Sequence, residues 1–315
     1  MADFVIIPDT FSDLTKDLRE RFDIPDYIKG IVYFPDGHAE PADLDWEHYS
    51  PKAFYESMSD KNTLYKTACA PTGDILEVYE KYLKEGKDIL AIVLSTALSG
   101  TYQACELVKK ELLKKYPERK IIIIDSLRYS TSLSLLVIMA SQKKAEGATI
   151  EETAEFVENN KHCIHQMGSM DDLFFLCKTG RISNFNAFFG TLIGVNPMAD
   201  FNRKGLSEVL AKVKGKRAAF DAVIRYMKKT VIEPEKQIMF VAHSNRPEAA
   251  QKLRDMIQKE FNPKEIIIND VGMSCGVSIG PGLCAAFYHG TEISENNEKE
   301  KAIMNEIITQ QRNKK

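Results

Sequence analysis

Several things the chain lacks narrow its class before anything it contains does. Its six cysteines (Cys69, Cys105, Cys163, Cys177, Cys275 and Cys284) are scattered over 315 residues with no CxxC pair. That spacing excludes a small disulfide scaffold, so the thiols are expected to be reduced and mostly buried. No run approaches the roughly 18 uncharged apolar residues of a membrane-spanning helix. The opening MADFVIIPDT lacks the basic and long apolar regions of a secretion signal, so a cytoplasmic location is expected. There is no excess of positive charge either: 42 Lys and Arg against 45 Asp and Glu give a net charge of -3, which does not favour nucleic acid as a partner. GxxxxGK[ST] is absent and no GxGxxG follows the first strand, so nucleotide binding has little support. Internal repeats, low-complexity stretches and a Pro/Ser/Gly linker are missing as well, and two domains that pack against each other are expected.

The composition is that of an ordinary globular protein, 44% hydrophobic and 28% charged. Its length suits about two domains. In the first half, β-rich runs (DFVIIPD, YIKGIVYF, DILAIVLS, KIIIIDS) alternate with helical stretches such as TGDILEVYEKYLKEG. Near-continuous Ile/Val runs suit strands buried on both faces, as in a parallel sheet flanked by helices. The expected fold class is therefore α/β, with a domain over 1–160. A second domain is expected over 161–290, with a hairpin in NPMADFNRKGLSEVLAKVKG turning at Arg203 to Gly205 and a β-α-β pattern after it. Residues 291–315 read as a polar tail or an added helix.

The most suggestive local stretch is ALSGTYQA, residues 97–104, where the apolar run DILAIVLS empties into a helical pattern. Unpaired N–H groups at a helix start attract an anion; Ser95, Ser99 and Thr101 add hydroxyls, and Gly100 permits close approach. Open α/β sheets bind ligands at the carboxyl ends of their strands, which is where this stretch falls. The plainer alternative is that Ser99 merely caps the helix, accepting from a backbone N–H two or three residues on.

Other motifs carry less. GMSCG, residues 272–276, matches the GxSxG nucleophile elbow after a strand, but no later acid precedes the only later histidine, His289, so the triad order fails. His162 and His165 lack a second ligand cluster, so no metal site is expected. His243 ends a strand and reads as structural or as a ligand contact. Arg181, in GRIS, is placed at a helix end, where it either meets the last carbonyls or contacts an anionic ligand or a partner. SIGPG, with Ser278 and Gly280, reads as a rigid turn just after a strand. The aromatic residues of DDLFFL and NAFFGTLIG, among them Phe188 and Phe189, are core residues or the lining of an apolar tunnel.

Taken in order, PDTFSDL, KTACAPTGD, LSTALSGTYQA, IIIDS, MDDLFFLCKTGRIS, the hairpin and SIGPG resemble the DegV family of bacterial fatty-acid-binding proteins, over nearly the whole chain to about residue 290. The resemblance implies an α/β domain and a smaller α+β domain that clasp one long-chain fatty acid. It also implies no catalysis and no cofactor, a carboxylate held by Thr67 and Ser99, and in some members a fatty acid kinase that receives the bound acid. The chain departs from the family pattern at Phe11, at Ala68 in the loop after Thr67, at Ser132 and Ser134, and at Ser278. Burial of an acyl chain fits the energetics: about 14 methylenes at about 0.8 kcal/mol each contribute on the order of 11 kcal/mol before ordering costs. The desolvated carboxylate needs donors, and hydroxyls with helix N-terminal N–H groups supply them without a full positive charge. Two other functions stay open on the residues alone: an enzyme acting on a small acyl or anionic substrate, and a phosphate- or sugar-binding regulatory module.

Overall fold

A computed structural model describes residues 3–183 and 195–313. The chain opens with β1 (Phe4–Ile7), α1 (Lys16–Arg21), β2 (Ile31–Tyr33), β3 (Ala39–Pro41), α2 (Pro51–Ser57) and β4 (Lys66–Ala68). It continues through α3 (Thr72–Lys84), β5 (Asp88–Val93), α4 (Thr101–Lys115), β6 (Ile121–Asp125), α5 (Thr131–Ala145) and α6 (Ile150–Asn160). The second half runs β7 (Ile164–Met170), α7 (Phe174–Thr179), β8 (Ile182–Ser183), β9 (Val195–Phe201), β10 (Ser207–Lys214) and α8 (Lys216–Thr230). It ends with β11 (Ile238–His243), α9 (Pro247–Phe261), β12 (Glu265–Asp270), α10 (Met273–Ile279), β13 (Leu283–His289) and α11 (Glu298–Asn313).

Contacts divide the chain into two units of nearly equal length, one of residues 1–50, 61–161 and 272–277, the other of 51–60, 162–271 and 278–315. This differs from a break at residue 160 in two places. Helix α2 groups with the second unit, where the Tyr55 hydroxyl donates to the carbonyl of Val271 at 2.6 Å. Most of α10 groups with the first, where the Cys275 thiol meets the carbonyl of Phe11 at 3.4 Å. Both are contacts between residues more than 200 apart, which no local pattern encodes.

In the first unit β1, β5 and β6 form a parallel sheet in the order β1-β5-β6. All six residues of β5 are buried, as its unbroken apolar run requires of a central strand. Tyr79 and Leu83 of α3 and Cys105, Val108 and Leu112 of α4 cover one face. Helix α5 is buried around most of its circumference, so its sequence carries almost no amphipathic stripe. Strands β3, β2 and β4 make a separate antiparallel sheet.

The second unit is built on one mixed sheet, ordered β12-β11-β13-β7-β9-β10-β8. The expected hairpin is β9 and β10, with Phe201 opposite Ser207 and the Asn202 side chain accepting from the N–H groups of Lys204 and Leu206 in the turn. Helices α8, α9 and α11 pack on one core, and α11 buries Met304 and Ile307 there. The stretch after residue 290 is thus largely an ordered helix. SIGPG begins in the last residues of α10 and turns into β13, whereas a position just after a strand was expected. None of the described helices is long and apolar enough to cross a membrane.

Candidate functional site

The carboxyl ends of β1 and β5 are tied together by one buried side chain. Asp9, 1% exposed, accepts from the N–H of Phe11 through Oδ1 at 2.9 Å and from the N–H of Leu94 through Oδ2 at 2.8 Å. Burial outweighs these two donors and pushes the carboxyl up to about 7. Beyond Leu94 the chain turns through Ser95, which is fully buried. Its N–H donates to the carbonyl of Arg128 at 3.0 Å, and its hydroxyl accepts from the N–H of Ala97 at 3.3 Å. Ser95 therefore holds the loop in shape. Thr96 donates its hydroxyl to Asp125 Oδ2 at 2.5 Å, fixing the loop to the end of β6.

Ser99 is half-buried. Its Oγ lies 3.0 Å from Thr101 Oγ1 and accepts from the Thr101 N–H at 3.3 Å, two residues on. The N-cap position itself belongs to Gly100, which has no side chain to cap α4; the bond from the Thr101 N–H to Ser99 is the capping contact that the plainer alternative describes. A Cβ on Gly100 would meet nothing within 4 Å, so the helix start is open on that side. A 15-residue helix that starts beside the half-buried Ser99 hydroxyl, with open space at Gly100, can receive an anion there.

Thr67 lies in β4 opposite Val32 of β2 and is half-buried. Three residues on, Ala70 joins the apolar cluster that also takes in Tyr102, Ala104 and Cys105 from the start of α4. The loop after Thr67 and the first turn of α4 thus share one patch of core. Phe11, 7% exposed, reaches the same neighbourhood: a Cβ on Gly30 would lie 3.2 Å from its ring and 2.9 Å from the carbonyl of Ala68. Burial raises the Cys105 thiol to about 12, which removes it as a nucleophile at neutral pH.

Arg181, Ser278 and Gly280 belong to the second unit. Gly180 ends α7 in the left-handed region, and the guanidinium of Arg181 donates to the carbonyl of Thr179. Ser278 is half-buried near the end of α10. Gly280 has φ +75°, and a Cβ there would sit 2.2 Å from the ring of Phe175, so the glycine is required by backbone and packing together. Phe188 and Phe189 lie outside the described residues.

The remaining motifs are accounted for locally. Ser274 of the GxSxG match is 2% exposed on α10, and its hydroxyl has no hydrogen-bond partner among the described residues. His165 is fully buried, with Nδ1 2.5 Å from Asp200 and Nε2 2.7 Å from the carbonyl of Thr291. Both ring nitrogens are engaged, which leaves neither for a metal, and no group of three or more metal-ligating side chains occurs among the described residues. His243 lies 3.3 Å from Asp270; burial lowers the histidine's pKa and raises the carboxyl's, moving both toward neutrality. Sequence reasoning missed Asp9, although it lies inside the quoted PDTFSDL. It also missed Arg128, fully buried, whose backbone carbonyl receives Ser95 and which nothing in the pattern after IIIIDS distinguishes.

A parallel-stranded α/β unit with an open helix start, followed by a mixed-sheet α+β unit, defines the class. The chain belongs to the DegV family, whose profile, described as an uncharacterised DegV family protein, matches residues 3–291. A DegV domain-containing protein of Clostridium perfringens is 33% identical over 290 residues, covering 92% of this chain and 98% of that one. Among solved structures, a DegV family protein of Thermus thermophilus described for its fatty acid binding superposes with a TM-score of 0.82 at 23% identity, covering 92% and 100% of the two chains. The fatty acid kinase B3 protein of Streptococcus pneumoniae, loaded with linoleic acid, superposes at 0.76 with 21% identity, covering 91% and 99%.

Proposed function

We propose that the protein binds one long-chain fatty acid and carries it in the cytoplasm without itself catalysing a reaction or needing a cofactor, presenting it to a fatty acid kinase. The reading rests above all on the start of α4, where the half-buried Ser99 hydroxyl stands next to Gly100 and the open space beside it. A carboxylate there receives the Ser99 hydroxyl, the Thr67 hydroxyl and the first N–H groups of the helix, so its charge is met by neutral donors. Family membership and the fatty acids named for the Thermus and Streptococcus proteins support the same ligand. Arg181, half-buried just beyond α7, is assigned to a partner contact.

Native mass spectrometry of gently purified protein is expected to show one fatty acid per chain, or uptake of added oleate after delipidation. Thr67→Val combined with Ser99→Ala removes two hydrogen bonds to a charged group, each worth about 1.5–3 kcal/mol. The double variant is expected to bind oleate roughly 100-fold more weakly or worse, with an unchanged circular dichroism spectrum. An apo protein that takes up no palmitate or oleate overturns the proposal, and unchanged oleate affinity in the folded variant overturns the head-group assignment.

A further inference from the structure

The second unit contains a cavity of about 970 Å³, lined by the start of α8 and by α9 as far as Met256, with Asn245 and Arg246 just before it. Its position follows from strand direction. Strands β7, β10, β11 and β12 run the same way, because β11 is parallel to β12 and each of the others is related to it through an even number of antiparallel pairings. Their carboxyl ends therefore share one edge of the sheet, and α8 follows directly on β10 and α9 on β11 at that edge. This is the edge at which α/β sheets collect ligands.

The lining is charged in one direction once local pairing is considered. Four basic side chains, Lys216, Arg217, Arg246 and Lys252, line the cavity. Of the three acidic ones, Asp221 already accepts from Arg225 at 3.1 Å and from Gln311 at 3.0 Å, and Asp255 from Arg254 at 3.0 Å and from Gln251 at 2.9 Å. Arg246 is held in place by the carbonyl of Gly282 at 2.9 Å, and both Arg246 and Lys216 lie 3.5 Å from Asp171. Arg217 and Lys252 make no ion pair among the described residues, and only Glu248 of the lining acids is left to face them. Neither helix start has a side-chain cap, so the N-terminal partial charges of both add to this field. Phe220 and Met256 give the cavity an apolar wall beside the cations.

We infer that this cavity binds a small phosphate-bearing anion, independently of the fatty acid. Two helix starts and several cations suit a multiply charged group better than a single carboxylate, and the apolar wall accommodates the organic body of a phosphate ester.

Inorganic pyrophosphate serves as the probe in isothermal titration of the full chain at low and at physiological salt. One saturable site is expected, weakening as salt rises. Arg217→Ala with Lys252→Ala is expected to weaken it at least tenfold, while the charge-matched control Lys259→Ala with Lys264→Ala leaves it within twofold. All four side chains are exposed, so the fold is not at stake. Oleate binding is expected to be the same in both pairs, which keeps this test separate from the head-group proposal. No saturable binding, or equal weakening in the two pairs, overturns the inference. Association with phosphatidylglycerol vesicles in the absence of pyrophosphate binding also overturns it, since the anion is then a lipid surface.

Discussion

Asp9 shows what a single residue does in this fold and how little of that its sequence context reveals. The aspartate in PDTFSDL carries no local mark of its role, yet the side chain is buried and accepts from the backbone N–H groups of Phe11 and Leu94. Leu94 is 85 residues away, and only the pairing of β1 with β5 brings it there. Burial raises the carboxyl from 3.8 to about 7, so the folded state holds a proton that the unfolded chain has released between those pH values. Stability from this group is thus present at low pH and lost as pH rises through about 7. Asp9→Asn removes the titration. The difference in unfolding free energy between wild type and variant, measured by urea at each pH, is expected to move in the variant's favour from pH 4 to pH 8 by up to about 4 kcal/mol. A flat difference across that range would show that Asp9 stays ionised in the fold.

At the scale of elements, legibility follows from how local the cause is. Strands β1, β5 and β6 could be read because a strand buried on both faces needs an apolar run, and the β9–β10 hairpin because its turn needs Asn202 and Gly205. The start of α4 was legible as a helix that opens after a buried strand, but not the division of labour within it: Ser95 holds the loop, Gly100 occupies the cap position, and Ser99 spends its acceptor on Thr101. Sheet order in the second unit was not legible, since β13 enters between β11 and β7 from far along the chain. The glycines of SIGPG were visible as a turn, while their cause, the ring of Phe175 against Gly280, lies more than 100 residues earlier. Gly280→Ala is expected to cost at least about 2 kcal/mol, from the left-handed backbone and from the ring it strikes. Phe175→Ala in the same chain relieves only the steric part. Chemical denaturation of the single and double variants checks this, and additive losses would show that the two side chains do not meet.

At the scale of the whole molecule, the described residues include one apolar cluster in each unit, and α11 contributes to that of the second. The polar composition after residue 290 concealed this, because the apolar residues Ile303, Met304, Ile307 and Ile308 form a short stripe in a helix otherwise made mostly of charged and amide residues. In the fold Met304 and Ile307 are buried, the side chain of Glu300 accepts from Ser294, and Gln311 donates to the carbonyl of Ala218 at 2.9 Å. Fully exposing the two apolar side chains alone costs about 3–6 kcal/mol. Truncation after residue 297 is therefore expected to destabilise the second unit by several kcal/mol and to lower amide protection in α8 and β10, against which α11 packs. Protection in β1, β5 and β6 is expected to persist, because their core draws on α3 and α4 and on nothing from α11. Hydrogen exchange read by mass spectrometry separates these regions in one measurement, and an equal loss of protection in β5 would show that the two cores unfold as one.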